Sequence, residues 1–162
     1  MAGLWLFIGL GHSAYPTGAD ADTKGAVVTK RASGTFDVKL APLALDDKAA
    51  DATLMRMSID KRFHGDLEGT SRGEMLSAGT AVKGSAGYVA IERISGKLAG
   101  RTGTFVLQHS GTMTRGVPQL SVTVVPDSGT GELVGLTGKM TIKIENKKHF
   151  YDFEYAVQEK PG

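Results

Sequence analysis

The chain contains no cysteine. That excludes disulfides, thiolate metal sites and cysteine nucleophiles, and leaves the redox compartment undetermined. Proline is scarce, with five residues, so this is no Pro/Gly low-complexity chain. Neither sign of charge dominates: 19 Lys+Arg face 17 Asp+Glu for a net +2. Basic and acidic residues interleave, as in Asp60-Lys61-Arg62 and Glu92-Arg93. This is not the gathered basic face of a nucleic-acid binder, and the short run Glu145 to His149 reads as a solvated hairpin tip. No apolar run approaches the roughly 20 residues of a membrane-spanning helix. The four histidines, at 12, 64, 109 and 149, show no metal-ligand spacing. The expected partners therefore include neither nucleic acid nor membrane, and no metal or other cofactor is expected.

What the chain has is glycine: 22 in 162 residues, about twice the usual ~7%. The glycines recur between β-rich runs, the pattern of many tight turns and bulges. Hydrophobic residues make up 41%, and the length fits one domain with a real core.

Residues 1–32 differ from the rest and read as an N-terminal extension. The apolar stretch Leu4-Trp5-Leu6-Phe7-Ile8 has no Lys or Arg before it, which argues against a secretory signal with Ala14 near its cleavage point. Gly9-x-Gly11-x-x-Ala14 fits a loose dinucleotide fingerprint, but Tyr15-Pro16 stands where a helix must continue. The remaining reading is a non-native start. A cytoplasmic location is expected, with export as the alternative if residues 1–14 act as a signal.

From Ser33 the signal is β. Thr35–Leu40 alternates with Phe36, Val38 and Leu40 on one face. Ala41 to Asp51 reads as a loop or short helix. Met55–Asp60 places Met55, Met57, Ile59 and then Phe63 inward. Leu67–Leu76 puts Leu67, Gly69, Ser71, Gly73 and Met75 inward, small residues that leave space or admit close approach. Tyr88–Ile94, Thr104–Met113, Gln119–Val125, Lys139–Glu145 and His149–Val157 complete eight strands. Eight short antiparallel strands are expected to close into a barrel, because closure removes exposed edges. The barrel is expected over residues 33–158, followed by a tail, 159–162.

An internal repeat orients one side chain. Gly96-Lys97-Leu98-Ala99-Gly100-Arg101-Thr102-Gly103-Thr104-Phe105 matches Gly131-Glu132-Leu133-Val134-Gly135-Leu136-Thr137-Gly138-Lys139-Met140, an offset of 35. Each copy is a strand–loop–strand unit whose Leu is expected to plug a barrel end. Met140, Ile142 and Ile144 read as the buried face of the later strand. Mapped back, Phe105, Leu107 and His109 face inward.

Several segments resemble a family of small bacterial proteins of unknown function. They are Met57 to Glu68, Gly84 to Arg93, Phe105 to Gly111 and Val124 to Gly131. The resemblance covers roughly Ser33 to Val157 and implies an allene-oxide-cyclase-like β-barrel. Ser128 to Gly135 is separately similar to the Gly-rich segment of plant allene oxide cyclases and dirigent proteins. The resemblance implies fold, and carries no catalytic residue over.

The candidate ligand-binding residues are His109, Glu92, Tyr88, Ser71, Tyr151 and Tyr155. An inward imidazole can serve as a base or hold a polar group, and a satisfied core histidine is the plainer reading. Glu92 and Arg93 face opposite sides. Strand 88–94 is apolar on both faces, so either can be inward, and an inward Glu92 is expected to have a raised pKa. Tyr151, Phe153, Tyr155 and Val157 share a face that packs a core or orients a ligand. Ser71 lies among inward glycines. Ser58-x-x-Lys61 matches a loose serine-hydrolase motif, but on a strand these residues face opposite sides. Three functions compete: a barrel binding a small apolar molecule, an isomerase or cyclase using a barrel-lining His, Glu or Tyr, and a filled barrel serving as a homo-oligomer unit. Strands Thr104–Ser110 and Tyr88–Ile94, apolar on both faces, motivate the last.

Overall fold

A computed structural model describes residues 28–45 and 53–158. The readings for residues 1–27, for the part of the Ala41–Asp51 segment from residue 46 on, and for the tail 159–162 lie outside them. Within the described residues the chain is almost wholly β. Its strands are β1 (Lys30–Leu43), β2 (Leu54–Gly65), β3 (Leu67–Gly79), β4 (Ala86–Leu98), β5 (Arg101–Thr114), β6 (Val117–Val124), β7 (Leu136–Glu145) and β8 (Lys148–Val157). A short 3-10 turn, Gly131–Leu133, stands between β6 and β7. Each strand pairs antiparallel with its neighbour, and β8 pairs with β1 to close the barrel. The expected eight-stranded all-β closed barrel is the observed fold.

Local chemistry fixes the turns. Ala99-Gly100, Arg115-Gly116 and Asn146-Lys147 each carry two consecutive positive φ angles. This is the two-residue type I′ hairpin geometry, whose twist matches that of the flanking strands. The basic run around Lys147 is thus a hairpin tip, as read from charge alone.

The strands are longer than their apolar cores suggest. β1 begins at Lys30, before the expected boundary at Ser33, because Ala32 packs into the core opposite Phe153. It also runs through Leu43, where a loop or helix was expected, because its pairing with β2 continues to Arg56.

The interior has two unlike halves. The end bearing the β2–β3 and β4–β5 turns is packed shut by Phe63, Leu67, Ile94, Leu98, Phe105, Leu133 and Phe153, all virtually inaccessible. The two repeat leucines, Leu98 and Leu133, both plug this end, as their pattern implies. Phe105, Phe153 and Tyr155 stack in sequence, with ring centroids 5.9 and 5.4 Å apart. Towards the opposite end the inward positions open to solvent: Leu40, Met55, Met113, Leu120 and Ile144 are all exposed. Ile144, expected on the buried face, is 63% exposed. Its register is inward, but it sits at the rim next to the Asn146-Lys147 turn, where no layer lies above it.

Candidate functional site

At the boundary between the halves lies a polar cluster built by three adjacent strands and their neighbour. Ile59 and Phe63 are the buried face of β2, so Lys61, midway between them, must also point inward. Ser71 of β3 follows Leu67 on the same alternation. Glu92 of β4 shares its face with Ala90 and Ile94, and His109 of β5 shares its face with Leu107. The inward face of strand 88–94 is thereby Tyr88, Ala90, Glu92 and Ile94, with Val89, Ile91 and Arg93 outside.

Glu92 is the hub, with no accessible surface. Its Oε1 accepts hydrogen bonds from Lys61 Nζ at 2.7 Å and His109 Nε2 at 2.8 Å. Its Oε2 accepts one from Ser71 Oγ at 2.5 Å. Gly73 makes the approach feasible. It stands directly opposite Glu92, and a Cβ there would sit 2.6 Å from Glu92 Cα and against the Ile91 carbonyl oxygen.

Burial alone raises the pKa of Glu92. The hydrogen bond from His109, the charge and hydrogen bond of Lys61, and the Ser71 hydroxyl outweigh it and bring the pKa down to about 2. The expected raised pKa is thus reversed: burial was foreseen, three donors on one carboxylate were not. Glu92 is therefore a fixed anion at neutral pH, an orienting group rather than a proton donor. Because a carboxylate only accepts, His109 Nε2 is the donor in this contact. Nδ1 has no hydrogen-bond partner among the described residues.

Lys61 is 7% exposed and lies over two rings, 4.8 Å from the Phe36 centroid and 5.9 Å from that of Phe63. It gives one of its three donor hydrogens to Glu92. Sequence reasoning missed it as a site residue. The alternation Ile59, Lys61, Phe63 carried the signal, but the neighbours Asp60 and Arg62 read as solvated charge.

Tyr88 comes to the open side of this cluster. Its ring lies on Gly111, whose missing side chain leaves the space: a Cβ there would meet the ring, with Cδ1 at 2.9 Å. Burial raises the phenol pKa, and the nearby negative charge of Glu92 raises it further. Ser77, directly across from Tyr88, has a buried Oγ with no hydrogen-bond partner among the described residues. Tyr151 and Tyr155 are placed elsewhere. Tyr151 Oη accepts from Leu67 N at 2.8 Å and donates to the His64 carbonyl at 3.3 Å, tying β8 to the β2–β3 turn. Tyr155 stacks on Phe153 in the closed half. Burial raises both phenol pKa values. The structure thus brings together His109, Glu92, Ser71 and Tyr88 of the six expected residues, adds Lys61 and Ser77, and leaves Tyr151 and Tyr155 in the packed end.

Among the described residues no group of three His, Asp or Glu side chains is placed to hold a metal ion. In the cluster the Lys61 ammonium occupies the cation's place beside Glu92.

Comparison with known proteins places this geometry in a context. The sequence model of the DUF3224 family, described as a protein of unknown function, matches residues 32–155. A crystal structure of a protein with unknown function from the same family, from Shewanella oneidensis MR-1, superposes with a TM-score of 0.76 at 53% identity, covering 82% of this chain and 100% of that one. No curated protein matches the chain.

Proposed function

We propose, from the premise that this chain belongs to the DUF3224 family of proteins of unknown function, that it binds a small, largely apolar molecule in the open half of its barrel. One observation carries this reading. The inward side chains pass from fully buried to exposed along the barrel axis, and the polar cluster lies at the crossover. Met57 and Met75, half-buried, line the wall above it and adapt to irregular ligands. A ligand there meets an apolar wall with a few convergent polar groups, the usual composition of a small-molecule site. Lys61, the Tyr88 hydroxyl and Ser77 Oγ are the groups that hold the ligand's polar end. The expected likeness to allene oxide cyclase barrels supports the same reading by analogy of fold.

The test is native mass spectrometry of protein purified from its own cells, with Met75→Trp beside it. Trp at 75 adds bulk on the inward face of β3 above the cluster. A co-purifying small molecule present on the wild type and absent from Met75→Trp supports the reading. Two bare proteins, with no change in thermal stability of the wild type across a metabolite panel, would overturn it.

A second reading is favoured by the Glu92–His109 contact. A carboxylate that fixes one ring nitrogen and leaves the other without a partner among the described residues is how a general-base histidine is oriented. This is an isomerase or cyclase reading, in which His109 moves a proton within a shaped apolar cavity. It requires turnover of a bound molecule by the wild type and its loss in His109→Ala with binding retained. Binding without turnover would leave the first reading alone.

A further inference from the structure

On the outer wall, β3, β4 and β5 present an apolar run. Leu76, Val89 and Ile91 face solvent side by side, Val89 and Ile91 at 56% and 51% exposure, with Val106 beside them. A groove of about 850 Å³ runs over these residues, within the range of small-molecule sites.

The groove ends on an unusual pair. Arg72 and Arg93 stand directly opposite each other in the β3–β4 register, both outward and exposed. Like charges directly across a sheet are destabilising. Nearby Arg56 is neutralised by Glu74 at 2.8 Å. Neither Arg72 nor Arg93 forms an ion pair among the described residues, and although Asp60 lies across from Arg72 in the β2–β3 register, the two are not joined. The two guanidiniums thus stand side by side with no ion pair of their own among the described residues, at one end of an apolar track that Glu74, paired with Arg56, borders. From Arg93 to Val89 the track spans four residues, about 13 Å at about 3.3 Å per residue.

We infer that this groove is a second binding site, distinct from the barrel interior, for an amphiphilic carboxylate of the fatty-acid class. The carboxylate lies between the guanidiniums of Arg72 and Arg93, whose planar forks suit it. The hydrocarbon lies along Ile91, Val89 and Leu76. The head cancels a standing repulsion, and the tail covers apolar surface that water otherwise meets.

Dodecanoate is the probe, titrated into the full chain by calorimetry and by methyl NMR. The expected result is saturable shifts of the Val89 and Ile91 methyls with Met57 and Met75 unmoved, and weaker binding of dodecanol, which lacks the charge. Arg72→Gln/Arg93→Gln binds dodecanoate at least about tenfold more weakly, the loss of one charge-assisted contact or more. The same variant is no less stable than the wild type, since a repulsion has been removed. Unchanged affinity in the double variant, or shifts confined to Met57 and Met75, overturns the inference. So do Val89 and Ile91 shifts that follow protein concentration rather than dodecanoate, which would mark the face as a contact between copies.

Discussion

At Glu92 two opposing effects meet. Desolvation favours the neutral acid, and three donors favour the anion; the donors win, and the pKa falls from 4.5 to about 2. A folded-state pKa below the unfolded one stabilises the fold above the unfolded value, and that stability drains away as pH falls through the folded value. The contribution is about 3 kcal/mol above pH 5, lost progressively between pH 5 and pH 2. Urea unfolding of wild type and Glu92→Gln across this range is expected to show a gap that narrows as pH falls; a constant gap would refute it. Lys61→Met is expected to cost about 3–5 kcal/mol at pH 7, because it strands a buried carboxylate. Histidine 109 was legible in the sequence through the repeat, since Met140 and Ile142 set the phase for Phe105 and Leu107. Lys61 was not, because charge identity spoke louder than alternation, and an ion pair that neutralises a buried lysine joins residues 31 positions apart.

At the scale of strands, two glycines do different jobs for the site. Gly73 lets β4 bring Glu92 against β3: a Cβ there meets backbone, the Ile91 carbonyl and Glu92 Cα, which cannot step aside. At Gly111 the nearest atoms a Cβ would meet all belong to the Tyr88 ring, which can swing. Gly73→Ala is therefore expected to lower stability by about 1–3 kcal/mol, the usual cost of forced overpacking. Gly111→Ala is expected to leave stability within about 1 kcal/mol and to displace Tyr88, lowering its raised phenol pKa. Chemical denaturation reads the first, and spectrophotometric titration of the tyrosines reads the second. Equal losses of stability would show that the ring is as constrained as the backbone. Strand 88–94 could not be phased from composition, because Val89 and Ile91 are as apolar as the core yet cover the outer wall. Only the neighbouring strands decide, by bringing Ser71 and His109 to the Glu92 side.

For the molecule as a whole, architecture was the most legible property. Glycine-punctuated alternation and a 35-residue repeat specify eight strands and their turns, and eight twisted strands with no covering helix close on themselves. The division into a shut half and an open half was legible only in part. The repeat leucines marked the plug, whereas the rim residues Leu40, Met113 and Ile144 look in sequence like any core position. Leu133→Ala is expected to cost about 2–5 kcal/mol by leaving a void in the shut half. Met113→Ala, at the rim, is expected to cost less than about 1 kcal/mol. Thermal unfolding of the pair checks the asymmetry, and comparable losses would mean that both ends are sealed.

Around the circumference, the β6–β7 seam is bridged at Thr123 and Lys139, whereas the other seams are long ladders. A hoop parts first at its weakest stave. Amide deuteration is therefore expected to run faster at the β6–β7 seam than along the ladders that join the other staves.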